Sequence, residues 1–201
     1  EAIRCKIKAQ TQLTASAGVS VNKMIAKIAS DFRKPNGLTV VLPDQVKEFI
    51  SKMPLRRIPG IGAVSEKKLS KLGFECFSDL WPLSEARTVE LLGERMGLWL
   101  YARSRGIDPS LVRTTRERKS LGRERTFSKD LTNKQEMEEI LNKILLKVWE
   151  ELKQRQLCAQ RLTVKVKYAN FQLITRSCTD PMIATDFDFV RMKARELLSL
   201  T

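Results

Sequence analysis

Residues 55–69, LRRIPGIGAVSEKKL, predict a short apolar and basic segment, a glycine hairpin and then a helix. Pro59 and Gly60 end the segment before them, and Gly62 allows a tight bend without a Cβ clash. The helix opens with unpaired backbone N–H groups, which bind anions such as phosphate. This is the pattern of a helix-hairpin-helix, which holds a nucleic-acid backbone without reading its bases. A plain corner between two helices is the alternative.

The composition favours a polyanionic partner. The chain has 201 residues, a formal net charge of +14 and a pI near 9.9. Each of the segments 1–54, 55–116 and 117–201 carries more Lys and Arg than Asp and Glu, so the charge is not confined to a basic tail. The four cysteines lie far apart and histidine is missing, which argues against zinc and for reduced thiols in a cytosolic protein. No apolar run approaches the length of a membrane span.

Residues 1–43 predict part of an α/β layer. We expect a helix over residues 1–10, and strands over 13–20 and 38–42 on either side of a helix over 22–32. Met24, Ile28 and Ala29 share the inward face of that second helix. The sequence KPNG at 34–37 ends it, because proline disfavours helix before it and Asn-Gly forms turns.

Residues 44–112 predict a helical domain. Asp44 is expected to cap a first helix, and the hairpin and a helix over 64–72 follow, with Gly73 at the usual C-terminal cap. Shorter helices are expected from 77 to 105, broken at Pro82, Gly93 and Gly97. Residues 92–97 form either a second, weaker hairpin or an ordinary helix corner.

Residues 113–119, RTTRERK, predict a linker, because they are polar and lack apolar periodicity. A strand over 120–127 and a helix over 134–155, capped by Thr132 or Asn133, are expected next. Strands over 161–168 and 171–177 and a helix over 184–200 complete a β-α-β-β-α order. This order predicts a small sheet with two helices on one face and a basic open face. The alternation places Leu162, Val164, Val166 and Tyr168 toward the core, and Arg161, Thr163, Lys165, Lys167, Gln172 and Arg176 outward.

Three segments resemble Y-family lesion-bypass DNA polymerases, most closely the branch of bacterial polymerase IV and eukaryotic polymerase kappa. The sequences SAGVSVNK, AKIASD and KPNG, within residues 16–37, resemble the palm. Residues 54–62 resemble the thumb hairpin, and residues 118–127, RKSLGRERTF, resemble the first strand of the little finger. The resemblance covers essentially the whole chain. It implies an α+β multidomain protein: the C-terminal part of an α/β palm (1–43), a helical helix-hairpin-helix thumb (44–112), a linker (113–119) and a β-α-β-β-α little finger (120–201) without its last strand.

The resemblance also implies template-directed nucleotidyl transfer on damaged DNA with two Mg²⁺ ions. The carboxylates that hold these ions in the family precede the part that this chain matches, so we expect no catalytic or metal residue here and an inactive fragment without the catalytic palm and fingers. Before residue 43 the acids are Glu1 and Asp31, which do not form a pair. Asp186 and Asp188 have the spacing of a carboxylate pair, but they lie at a helix start, where acids complement the helix dipole.

Binding residues follow from the same resemblance. Lys34 matches the palm lysine that reaches the incoming triphosphate, and Lys27 is a weaker candidate. Backbone N–H groups of Gly60, Ile61 and Gly62 would hold the primer strand, with Lys67 and Lys68 adding charge. Contacts to the template strand are expected from Ser120, Gly122, Arg123, Arg125, Lys165, Lys167, Thr175 and Arg176.

The implied partners are primer–template DNA, a deoxynucleoside triphosphate and a sliding clamp, for a monomer without membrane contact. Its location would be the bacterial cytoplasm at the nucleoid, or the nucleus in a eukaryote. A non-enzymatic helix-hairpin-helix repair accessory protein and an RNA-binding protein are the alternatives. The half-palm ending in KPNG argues against the first, and an aromatic content of 6% argues against the base stacking that the second needs.

Overall fold

Two units, Glu1–Thr114 and Thr115–Thr201, each have their own hydrophobic core in the computed structural model, which describes residues 1–115 and 118–201. The first unit joins a short parallel sheet to a group of helices. The second packs two helices on an antiparallel hairpin. The expected mixed α+β class, with a helical segment and a small separate sheet, is confirmed.

The first unit begins with helix α1 (Ala2–Thr11) and a parallel β-α-β element of β1 (Ala17–Val19), α2 (Lys23–Phe32) and β2 (Leu38–Val40). Asn22 caps α2 by accepting a hydrogen bond of 3.0 Å from the Ile25 N–H. A Cβ at Gly18 would lie 2.0 Å from the Ala26 carbonyl oxygen, so glycine lets α2 lie directly on β1. The first strand is shorter than the expected range 13–20. Within this range, Ala17–Val19 pair with β2, so their backbone N–H and C=O groups find hydrogen-bond partners in a ladder.

The helical part of this unit follows the hydrophobic periodicity. Its α-helices are α3 (Val46–Ser51), α4 (Ala63–Lys71), α5 (Glu85–Leu92) and α6 (Glu94–Ser104), with 3-10 turns at Pro43–Gln45, Leu55–Arg57 and Phe77–Leu80. Two expectations were wrong. Asp44 lies inside the first 3-10 turn, and the Gln45 side chain caps it by accepting from the Leu42 N–H at 3.2 Å. Gly97 lies inside α6 and is buried against α5, whereas Gly93 alone separates the two helices.

One core runs through both parts of the first unit. Ile25 and Ile28 of α2 join Ile58 and Phe77 in a single buried cluster. Asn22 also donates a hydrogen bond of 2.8 Å from Nδ2 to the carbonyl of Gly106, just after α6. Helix α2 is therefore fixed beside the hairpin segment that the sequence singled out.

The second unit contains α7 (Lys134–Gln154), β3 (Arg161–Lys167), β4 (Leu173–Thr179), a 3-10 turn (Pro181–Ala184) and α8 (Phe187–Ser199). Asn133 caps α7, as one of the two expected alternatives, by accepting from the Gln135 N–H at 2.8 Å. Leu145 of α7 and Ala194 of α8 pack with Val164 of β3, so both helices cover one face of the hairpin. The prediction of two helices on one sheet face is confirmed.

Three details of this unit differ from expectation. Residues 120–127 form no strand, because their backbone joins no ladder among the described residues. Tyr168 lies past the end of β3 and is exposed. Arg176 pairs with the buried Val164 across the antiparallel register, which puts it on the helix-covered face, where its Nε donates to the Leu200 carbonyl at 3.1 Å. The expectation that Arg176 faces outward was therefore wrong.

Candidate nucleic-acid interface

The hairpin before α4 is anchored by two buried isoleucines. Ile58 and Ile61 are only 1% and 5% exposed, and the N–H of Ile61 donates to the carbonyl of Ile58 at 3.0 Å. Gly60, between them, has a φ of +112°, which side chains other than hydrogen rarely tolerate. An added Cβ there would also lie 3.2 Å from the ring of Trp99. The apolar residues thus hold the turn while the glycine makes it.

The start of α4 leaves a group of backbone donors without acceptors. The helix has no side-chain cap, and its first internal bond runs from the Glu66 N–H to the Gly62 carbonyl at 2.9 Å. Within residues 1–115, the N–H groups of Gly60 and Gly62 have no acceptor, and neither have those of residues 63–65. These donors form an anion-binding helix start.

The set of donors differs in part from the sequence expectation. The N–H of Ile61 is used inside the turn, so Ile61 contributes its buried side chain and not a free donor. The unpaired N–H groups that were expected at the start of the helix, without being named, belong to Ala63, Val64 and Ser65, because α4 begins at Ala63 and not at Val64. The sequence signal that identifies these three N–H groups is Gly62, because it is the residue immediately before the helix.

Positive charge surrounds this helix start. Lys67 and Lys68 are exposed on α4 and form no ion pair within the described residues. The acid of the first turn, Glu66, lies 3.9 Å from the Arg56 guanidinium, which offsets the charge that would repel an anion. The local field therefore favours a phosphate.

Helix α2 and the hairpin line one groove of about 330 Å³, with Lys27, Ile28 and Asp31 on one wall and residues 56–61 on the other. Lys34 lies at the end of α2, with its ammonium 2.5 Å from Asp31 Oδ1. The hydrogen bond from Lys34 is the main reason that the pKa of Asp31 lies below its usual value; the charges of Lys34, Lys27 and Arg57 act in the same direction, against a smaller effect of burial. Of the two lysines expected at a triphosphate, Lys27 thus lines the groove with the hairpin, and Lys34 is held by the ionised carboxylate of Asp31.

The open face of the second unit is polar and basic. Residues of β3 and β4 alternate, so this face carries Arg161, Thr163, Lys165, Lys167, Leu173, Thr175, Ser177 and Thr179, all of them exposed. Lys165 lies directly opposite Thr175 in the register. The structure therefore places the expected residues Lys165, Lys167 and Thr175 on one surface, with Arg176 on the other side of the sheet.

The segment 118–127 is irregular and carries four further expected residues: Ser120, Gly122, Arg123 and Arg125. Arg123 donates from Nη2 to Glu151 of α7 at 3.0 Å, and the Arg125 guanidinium lies 5.4 Å from the centre of the Phe127 ring. Glu124 is 2.7 Å from the Lys165 ammonium, whose hydrogen bond lowers the pKa of this carboxyl. Side chains, not a backbone ladder, connect this segment to the rest of its unit.

The donor set of the described residues does not fit a pair of magnesium ions. No cluster of three or more His, Cys, Asp or Glu side chains suitable for a metal occurs in residues 1–115 and 118–201. Asp186 caps α8 by accepting from the Asp188 N–H at 2.9 Å, and Asp188 pairs with Arg191 at 2.8 Å. Both acids therefore serve helix α8. Among the helices described, none combines the length and apolar character that crossing a membrane requires.

Comparison with known proteins finds family models that match this chain in the order palm, thumb and little finger expected from the sequence. The model of the impB/mucB/samB family matches residues 1–31, and that of the family's C-terminal domain matches residues 118–200. The model of the DNA polymerase-iota thumb domain matches residues 56–108, which include the hairpin and α4.

Relatives from several bacteria align along most of the chain. A DNA polymerase IV of Gluconobacter oxydans is 44% identical over 180 residues, which is 88% of this chain and 49% of that protein. A DNA polymerase IV of Clostridium perfringens is 44% identical over 177 residues, again 88% of this chain and 49% of the relative. The chain thus spans about half the length of the curated relatives it matches.

A solved structure agrees in fold. A Y-family DNA polymerase chimera superposes with a TM-score of 0.77 at 25% identity, over 99% of this chain and 56% of the chimera. The two impB/mucB/samB models together cover more than half of the residues, and the thumb match lies between them. The chain belongs to the impB/mucB/samB family of Y-family DNA polymerases.

Proposed function

We propose that this chain is the DNA-binding portion of a translesion DNA polymerase, and that the full-length protein performs template-directed nucleotidyl transfer past damaged bases. The alignment with bacterial DNA polymerase IV along most of the chain is the observation that carries this proposal. A pure binding protein would need the hairpin and the basic face but not the β-α-β element, in which KPNG joins α2 to β2. We assign this element to the palm, residues 44–112 to the thumb and residues 120–201 to the little finger.

The geometry supports binding of a nucleic-acid backbone. Unpaired N–H groups at the start of α4, with Lys67 and Lys68 beside them, match the charge and spacing needs of a phosphate. The open face around Lys165 and Thr175 offers cations and hydroxyls, and an exposed aromatic residue beside it, Phe171, has its ring centre 4.6 Å from the Lys167 ammonium. Contacts of this kind position a duplex without reading its sequence, as a polymerase requires.

The proposal includes the partners of the complete protein: primer–template DNA, a deoxynucleoside triphosphate that Lys34 and Lys27 would approach, and a sliding clamp. Magnesium ions would be held by carboxylates outside this chain, since Asp186 caps α8 and Asp31 and Asp188 form ion pairs. We further propose a monomer in the bacterial cytoplasm beside the nucleoid, supported by the bacterial origin of the relatives.

A chimera tests the enzymatic part of the proposal. In the chimera, this chain replaces the matching half of the Gluconobacter oxydans DNA polymerase IV, so that the N-terminal half of that polymerase is fused to this chain. We expect the chimera to extend a primer in Mg²⁺, and the 201-residue chain alone to be silent in the same assay. A folded chimera that binds primer–template but never extends it would contradict the proposal.

A lysine pair supplies the matched control. In the chimera, Lys67→Gln with Lys68→Gln should weaken binding of primer–template, whereas Lys6→Gln with Lys8→Gln on α1 removes the same charge away from the hairpin. Equal loss in both double variants would show that only net charge matters and would remove the assignment of the hairpin as a DNA contact.

A further inference from the structure

Glu151 of α7 joins three arginines through its two carboxylate oxygens. Oε1 accepts from Arg155 Nε at 2.9 Å and from Arg118 Nη1 at 3.2 Å, and Oε2 accepts from Arg123 Nη2 at 3.0 Å. Arg155 is the C-terminal cap residue immediately after the same helix. Arg118 and Arg123 belong to the irregular segment before α7, 33 and 28 residues away in sequence.

These contacts account for most of the polar links of that segment. Residues 118–127 make no backbone hydrogen bond to another part of the described chain. Their side-chain ion pairs are Arg118 and Arg123 with Glu151, and Glu124 with Lys165. Glu151 therefore provides two of the three ion pairs that hold the segment on its unit.

The carboxylate is more enclosed than its partners. The Glu151 side chain is 19% exposed, whereas the arginine side chains around it are about half exposed. Burial alone would raise the pKa of Glu151, but the hydrogen bonds from Arg155 and Arg123 and the charges of these two arginines together outweigh it, so the pKa lies below its usual value. At neutral pH the group is ionised and holds guanidiniums that still face solvent.

We infer that Glu151 is a positioning residue for DNA binding, which holds Arg118 and Arg123 so that they contact the phosphate backbone. Each guanidinium has five N–H donors and uses one of them on Glu151, so donors remain for a phosphate. A fixed guanidinium loses less conformational entropy on binding than a mobile one. This inference rests on the proposed function, because it needs DNA as the ligand.

The direction in which a substitution changes DNA affinity distinguishes a positioning role of the carboxylate from a simple effect of its charge. Loss of a carboxylate from a basic protein raises its attraction for a polyanion. Glu150 is the matched control: it precedes Glu151, lines together with it a surface groove that Arg123 and Arg155 also line, and forms no ion pair within the described chain. Glu150→Gln should leave DNA affinity unchanged or slightly raised, and Glu151→Gln should lower it.

The experiment measures binding of a fluorescent primer–template duplex to the 201-residue chain as a function of salt. Affinity varies with salt to a power of about −0.9 per phosphate contact, so loss of one contact in Glu151→Gln predicts about eightfold weaker binding at about 0.1 M salt. The salt slope should become shallower by about 0.9 in the same variant. Circular dichroism confirms that α7 stays helical.

A second pair of measurements separates positioning from general damage. In an Arg118→Gln, Arg123→Gln background, Glu151→Gln should cause no further loss of affinity, because the arginines that it positions are gone. Trypsin should cleave the segment 118–125 faster in Glu151→Gln than in Glu150→Gln, since the segment contains Arg118, Lys119, Arg123 and Arg125.

Opposite results overturn the inference. If Glu151→Gln binds DNA as tightly as Glu150→Gln or more tightly, the carboxylate competes with phosphate and does not position the arginines. Equal trypsin cleavage in both variants would show that Glu151 does not hold the segment. Failure of the unsubstituted chain to bind DNA would instead contradict the proposed function itself.

Discussion

At the scale of single residues, Gly60 is the position where the hairpin depends on glycine. Gly60→Ala forces a Cβ into a backbone with φ of +112° and against Trp99. We expect a loss of about 1 to 3 kcal/mol in the free energy of unfolding. The measurement is urea unfolding followed by tryptophan fluorescence in a Trp149→Phe background, which leaves Trp81 and Trp99 as reporters of the first unit.

Gly62 is the matched control for this prediction. Its φ of −91° and ψ of 175° suit any residue, and the nearest atom to an added Cβ is Arg56 Nη1 at 3.9 Å. Gly62→Ala should therefore change stability by less than about 0.5 kcal/mol. Equal losses in both variants would contradict the role given to the backbone of Gly60.

Asp108 makes a pH prediction for the loop after α6. Burial alone would raise the pKa of Asp108, but hydrogen bonds from the Ser110 side chain and N–H, together with Arg103, outweigh it and lower the pKa from 3.8 to about 2. A pKa lowered on folding stabilises the protein above the unfolded value. This stability, about 1 to 2 kcal/mol, is lost as the pH falls from about 4 to about 2.

The check is acid unfolding of Asp108→Asn beside the unsubstituted chain. The variant should be less stable at neutral pH, and the difference between the two proteins should shrink between about pH 4 and pH 2. Asp44→Asn serves as the control, because Asp44 is exposed and forms no ion pair in the described residues. A difference that stays constant across this range would contradict the low pKa.

At the scale of elements, α5 and α6 touch through Gly97. A Cβ at this position would lie 2.5 Å from the Val89 Cα and 2.7 Å from the Thr88 carbonyl oxygen, which are backbone atoms that cannot turn aside. Gly97→Ala should thus lower the free energy of unfolding by about 1 to 3 kcal/mol, although alanine is the better helix former. Arg95→Ala, on the exposed part of α6, should stay within about 0.5 kcal/mol of the unsubstituted chain in the same urea experiment. A stabilised Gly97→Ala variant would show that the helices are not in close contact.

Helices could be predicted from sequence better than strands. The long helix was expected over residues 134–155 and is found at Lys134–Gln154, because its apolar stripe and the Asn133 cap are local signals. Residues 13–16 and 120–127 have strand-like composition, but a strand exists only where a neighbour completes the ladder, and such neighbours are not local in sequence. Gly97 was misread as a helix break, since sequence alone does not distinguish a flexible glycine from one required by close packing.

The outward face of the second strand, β4, was equally hard to assign from sequence. Arg161–Lys167 alternates as expected, but Arg176, which was expected to face outward, lies opposite the buried Val164. The register opposite Val164 decides its side, and this register follows from the turn that joins the strands. The residues of the candidate site on β3 were therefore predictable, and one of the two on β4 was not.

At the scale of the whole molecule, charge could be predicted from composition, whereas its arrangement could not. The excess of Lys and Arg in every segment indicates a polyanionic partner. The bond between Arg123 and Glu151 joins residues 28 positions apart, so no local pattern shows it. Likewise, the groove that joins Lys27 to the hairpin becomes visible only in the fold.

The central claim is that this chain binds DNA through its phosphate backbone, and the salt dependence of its affinity tests that claim most directly. Contact with about six phosphates predicts that log affinity falls against log salt with a slope of about −5, equal for duplexes of unrelated sequence. Lys67→Gln with Lys68→Gln should make the slope shallower by about 2. A slope near zero, or one that depends strongly on DNA sequence, would contradict the account.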